Sequence, residues 1–60
     1  MKARKVVPEP YAVVDHRYKE FHVYKDGRVF VETPDGEYDW YPTYEDDYDE
    51  IKQAGLEVLR

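Results

Sequence analysis

The residues able to do chemistry in this 60-residue chain are mostly acids and aromatics, and they are concentrated in one stretch. Between Val29 and Ile51 there is no Lys or Arg. That stretch holds Glu32, Asp35, Glu37, Asp39, Glu45, Asp46, Asp47, Asp49 and Glu50, interleaved with Tyr38, Trp40, Tyr41, Tyr44 and Tyr48. An enzyme needs a nucleophile, a tuned acid–base pair or a metal. The chain has no Ser and no Cys, and its two threonines, Thr33 and Thr43, fall in turn or cap contexts. A metal site could be drawn from His16, His22, Asp15 and Glu20. Two histidines, one near a turn and one on a strand, read instead as surface or packing residues, with His22 packed on an aromatic face. No metal and no cofactor are expected. The run Glu45 to Glu50 lacks the central glycine of a calcium loop and reads as a solvated helix start. Gly27, Gly36 and Gly55 are isolated, so no phosphate-binding loop is present. The chemistry left to this chain is non-covalent: it binds rather than catalyses.

Size and composition limit what can position those residues. Sixty residues allow one domain. A chain of this length buries only about 60% of its unfolded surface, so oligomerisation or a partner is a reasonable way to complete its core. Without cysteine there is no disulfide framework and no thiolate zinc site. No apolar run approaches the roughly 18 residues of a membrane helix. A cytoplasmic protein without membrane contact is expected. Charged residues at 38% would suit disorder, but aromatics at 17% argue for a folded domain. The net charge is −5, yet Lys2, Arg4 and Lys5 are all basic, so the rest of the chain carries −8.

The pattern predicts a small α+β domain: a three-stranded antiparallel meander, one C-terminal helix, and possible extra edge strands at both termini. Residues 1–10 read as a basic arm interrupted by Pro8 and Pro10, and 11–60 as the domain. Tyr11 to Val14 is a candidate edge strand. Tyr18–Tyr24 and Arg28–Thr33 both alternate. A three-residue loop with Gly27 left-handed pairs Tyr24 with Arg28 and puts Phe21, Val23, Val29 and Val31 on one face. Pro34-Asp35-Gly36 makes a second such loop, pairing Thr33 with Glu37 and Phe30 with Trp40. The other face then gathers His22, Tyr24, Phe30, Tyr38 and Trp40. The helix is predicted to start at Thr43 as N-cap, with Asp46 in a weak capping box and Tyr44, Tyr48 and Ile51 as its apolar stripe. Gly55 is predicted to end it, leaving 56–59 as a tail or strand; the alternative is a helix that runs through Gly55 to Val58, at about 1 kcal/mol for the glycine.

Two surface readings follow. In the first, the acidic–aromatic stretch is a docking face for a protein partner with a basic, nucleic-acid-binding surface. Carboxylates can stand where phosphates would, as in small acidic inhibitors of phage or regulatory type. Glu37, Asp39, Trp40, Tyr41, Glu45, Asp46, Asp49 and Glu50 are its candidate contacts, with Trp40 and Tyr41 as anchors. A homodimer that buries Tyr24, Phe30 and Trp40 is a related expectation. In the second reading the sheet binds nucleic acid. A three-stranded sheet followed by a helix over residues 18–54 resembles, in outline, the arm-binding domains of integrases, with no shared motif. In this reading Lys2, Arg4 and Lys5 contact phosphate and bases stack on Tyr24, Phe30, Tyr38 and Trp40. Those domains need a basic sheet face, whereas these strands mix acids with bases. Phosphate neutralisation dominates such affinity, so a net charge of −5 argues against it.

Overall fold

A computed structural model describes residues 1–8 and 10–60 of the chain. Five antiparallel strands form one sheet in sequence order: β1 Lys2–Val6, β2 Tyr11–His16, β3 Lys19–Tyr24, β4 Val29–Glu32 and β5 Tyr38–Trp40. One helix follows, α1 Tyr48–Leu59. The α+β class and the meander of β3, β4 and β5 are as the alternation predicts. Val23 pairs with Val29 and Phe30 with Trp40. The Tyr24 amide donates to the Arg28 carbonyl at 2.8 Å, and the Thr33 amide to the Glu37 carbonyl at 2.8 Å. Gly27 and Gly36 take φ of 97° and 86°, the left-handed value that closes each three-residue loop.

The sheet is larger than the pattern predicts. Residues 2–6, read as an arm, pair with β2 through Ala3–Val14 and Lys5–Ala12. Residue 9 of that segment lies outside the described residues. Tyr11 to Val14, read as an edge strand, lies in β2 and is therefore central, between β1 and β3. Ala12, Val13 and Val14 are buried accordingly. β2 and β3 are joined by Arg17 and Tyr18 at φ of 51° and 66°, the tight hairpin turn with both central residues left-handed. Neither is a glycine or asparagine, so composition did not announce this turn.

Strand alternation divides the sheet into two faces. Ala3, Ala12, Val14, Phe21, Val23, Val29 and Val31 point to one side, where Tyr48, Ile51, Ala54 and Leu56 of α1 meet most of them. The helix crosses β1, β2 and β3. Its limits differ from the prediction at both ends. Residues 43–47 form turns instead of a first helical turn. The Glu45 amide donates to the Pro42 carbonyl at 3.2 Å and the Tyr48 amide to the Glu45 carbonyl at 3.1 Å. Thr43 therefore caps nothing, and the Asp46 capping box does not form. At the other end Gly55 does not stop the helix. It is buried against β3, where an added Cβ would come within 2.7 Å of both Val23 γ-carbons. The glycine costs about 1 kcal/mol in a helix interior, but it lets the backbone reach the sheet. Residues 56–59 stay helical, neither tail nor strand.

Candidate functional site

The face away from the helix carries the aromatic set in three rows set by the register. Val6, Tyr11 and Tyr24 form one row. Arg4, Val13, His22, Phe30 and Trp40 form the next. Lys2, Asp15 and Glu20 lead the third, and Glu32 and Tyr38 close it. Ring contacts knit the rows together. Tyr11 stacks on Tyr24 at 5.0 Å, Tyr24 meets Phe30 edge-on at 5.6 Å, and His22 sits against Tyr11 at 5.1 Å and Tyr38 at 4.5 Å. The Arg28 guanidinium covers the Tyr24 ring at 5.0 Å and the Phe30 ring at 6.0 Å. These two rings are thus engaged by their neighbours. Tyr38 and Trp40 remain 54% and 59% exposed.

β5 is exposed along its whole length, because the helix crosses the other end of the sheet. Among the described residues it has β4 on one side and no strand on the other. Its outer backbone groups and both its faces are accessible, an arrangement suited to pairing with another chain. Glu37 and Asp39 on this hairpin, Glu45 and Asp46 in the following turns, and Asp49 and Glu50 in the first turn of α1 are all exposed. The acids predicted as contacts are therefore all on the surface, carried by the β4–β5 hairpin, the turns after it and the start of α1. Asp49 and Glu50 also complement the helix dipole.

Tyr41 is placed differently from a contact anchor. Its ring packs edge-on against Phe21 at 4.8 Å, and its hydroxyl donates to Asp47. Burial, followed by the Asp47 carboxylate, raises the phenol above its ordinary range. The same hydrogen bond is the main cause holding Asp47 below its usual value. His16 Nε2 lies 3.2 Å from the other Asp47 oxygen. Tyr41, Asp47 and His16 thus tie the start of α1 to the sheet. Tyr44, assigned to the helix stripe from sequence, is outside the helix and exposed. Tyr48 turns inward, and its hydroxyl donates to the Gly27 carbonyl at 2.9 Å.

The residues proposed for nucleic acid only partly converge. Lys2, Arg4, Tyr24, Phe30 and Tyr38 share the open face, whereas Lys5 follows the register to the helix side. Asp15, Glu20 and Glu32 cross the same face between the basic strand and Tyr38. Sequence reasoning missed this acidic row, since it appears only once the register of four strands is known. The two histidines are on opposite faces, His16 under the helix start and His22 among the open-face rings. The fold and this face define a small α+β domain with one uncovered, aromatic sheet surface. No protein-family model, curated protein or solved structure matches the chain. Among the described residues, no helix is long and apolar enough to cross a membrane.

Proposed function

We propose that the chain is a non-enzymatic interaction module that docks a basic surface of a protein partner through β5 and the acidic turn leading into α1. The observation that carries this reading is β5 itself, an edge strand exposed on both faces, with Tyr38 and Trp40 projecting from it. Trp40 and Tyr38 supply rigid contact area. Glu37, Asp39, Glu45, Asp46, Asp49 and Glu50 supply the steering field, unbalanced by any cation from Val29 to Ile51. Tyr41, first read as an anchor, serves instead to position this end against the core. A partner that binds nucleic acid suits such a surface, because spaced carboxylates can occupy phosphate positions, and an inhibitor or regulator is the role that follows.

The test is capture from a lysate of the source organism, with nuclease treatment in parallel and elution by salt gradient. A stoichiometric protein that survives nuclease, elutes with rising salt and is lost with Trp40→Ala supports the reading. The combined change Asp46→Asn, Asp49→Asn and Glu50→Gln is expected to weaken capture and flatten its salt dependence. Recovery of nucleic acid, abolished by Lys2→Ala, Arg4→Ala and Lys5→Ala, overturns the reading in favour of the basic strand and the aromatic face.

A further inference from the structure

We propose that Glu20, His22 and Glu32 form a binding site for a first-row divalent transition-metal ion, held by one imidazole nitrogen and two carboxylates. Three observations meet here. One ligand atom from each side chain lies within 4.8 Å of the other two. The His22 side chain is only 6% exposed, yet its Nε2 has no hydrogen-bond partner among the described residues. Buried polar atoms of this kind are normally satisfied, and an orphan is costly. Lastly, Glu20 and Glu32 sit side by side on neighbouring strands, one step beyond the Phe21–Val31 pair. Like charges so placed repel.

The register builds the group. Glu20 and His22 are two apart on β3, so they share the open face, and Glu32 on β4 completes the triangle. Asp15 on β2 stands beyond Glu20 and adds a third negative charge. The one cation paired with Glu20 among the described residues, Arg4, reaches it at 4.0 Å from an exposed position, the outer limit of an ion pair. The Glu20 carboxyl is raised above its usual range, first by a hydrogen bond with Glu32 and then by burial. Burial is the chief cause holding His22 below its usual value. A divalent cation would neutralise the carboxylate pair and give the buried imidazole a partner.

The donor set selects the metal. An imidazole with two carboxylates suits zinc, manganese or iron, whereas calcium and magnesium prefer oxygen alone. Zinc bonds of about 2.0–2.2 Å bring donors to roughly 3.4 Å from one another at tetrahedral angles. Both glutamates are only half-buried and can close the difference by rotating their side chains. They also line a surface groove with Tyr18, Lys19, Thr33 and Pro34, so both carboxylates are reached from solvent. Three protein ligands leave a fourth position to water. This site does not depend on the docking role of β5.

The experiment adds zinc, with magnesium as control, to the untagged 60-residue chain. It follows both histidine rings by 15N-resolved NMR, affinity by calorimetry and the thermal midpoint. Zinc is expected to shift the His22 ring resonances, leave those of His16 in place, and raise the midpoint as a ligand bound only to the folded state must. Magnesium at the same concentration is expected to do neither. Glu20→Gln and Glu32→Gln, which spare the core, are each expected to weaken zinc by about tenfold or more. The proposal is overturned if the His22 resonances do not move at millimolar zinc. It is equally overturned if both glutamine variants bind as the parent does, or if the response is confined to His16 and Asp47.

Discussion

β1 and β5 close the same sheet on opposite sides, and they are built on different terms. β1 carries Lys2, Arg4 and Lys5, and α1 lies across its inner face, where Ala3 packs on the core. Lysines on an edge strand discourage pairing with a second chain. β5 has Asp39 between two exposed aromatics and no helix behind it. Its three residues are exposed, and the chain then turns at once into an acidic loop. Charge at β1 protects an edge that the fold has already covered on one face. Charge at β5 surrounds an edge that the fold leaves open. Net charge alone would have treated the two as a sum, although their surroundings give them separate roles.

The largest expected effect removes the support behind the covered side. Ile51 is fully buried beneath the sheet, so Ile51→Ala is expected to cost about 2–5 kcal/mol, read by chemical denaturation. The matching change at the open edge is expected to behave in the opposite way. Trp40→Ala should move stability by no more than about 0.5 kcal/mol, while costing about 2 kcal/mol or more in partner affinity. A variant that unfolds would show that β5 is held by its aromatics and would break the comparison.

Gly55→Ala tests how closely the helix must approach β3. Helix propensity alone predicts a gain of about 1 kcal/mol. The overlap with Val23 predicts a loss of about 1–3 kcal/mol, as for overpacked cores. The overlap involves a Cβ and both its branches, which cannot swing aside, so a net loss is expected on denaturation.

Tyr41→Phe separates β5 from the helix start. Asp47 is held below 3.8, so its stabilising contribution is complete above that value and is lost as pH falls through the lower folded value. Without the Tyr41 hydroxyl the folded value returns towards 3.8. The variant is expected to be about 1 kcal/mol less stable at neutral pH, and the two proteins should converge in acid. Urea titrations across pH check both halves.

The smallest effect is a gain. Glu20 is raised above 4.5 by Glu32, so its ionisation opposes folding, and stability from this pair increases as pH falls through the raised value. Glu32→Gln is expected to add no more than about 1 kcal/mol at neutral pH in metal-free buffer. It should also erase that gain on acidification. A loss of stability at neutral pH would show that the pair is satisfied in some other way.

Much of the sheet was legible because its information is local. Phe21, Val23, Val29 and Val31 could share a face only if Gly27 closed a three-residue loop, and that loop is present. The helix limits were less legible because local signals conflicted with packing. Thr43 resembles a cap and Gly55 a stop by residue type, but the chain turns through 43–47 and the glycine is required against Val23. β1 was hidden because Pro8, Pro10 and a basic composition resemble an arm. Its pairing with β2 becomes visible only when Ala3 and Val14 are seen on the same side as the helix.

By itself the sequence determined the α+β class, the registers of β3, β4 and β5, the separation of an aliphatic from an aromatic face, and the acidic segment that begins after Val29. Period-two alternation and turn glycines act over a few residues, and composition needs no structure to be read. Tertiary structure decided that residues 2–6 join the sheet and that α1 covers the aliphatic face, leaving β5 open. It also brought His22 beside Glu20 and Glu32 while sending His16 to the other side. These outcomes depend on which strands become neighbours and on how near the helix can come. Both are set by burying Val14, Phe21, Val23 and Ile51 together, residues whose separation along the chain hides their contact.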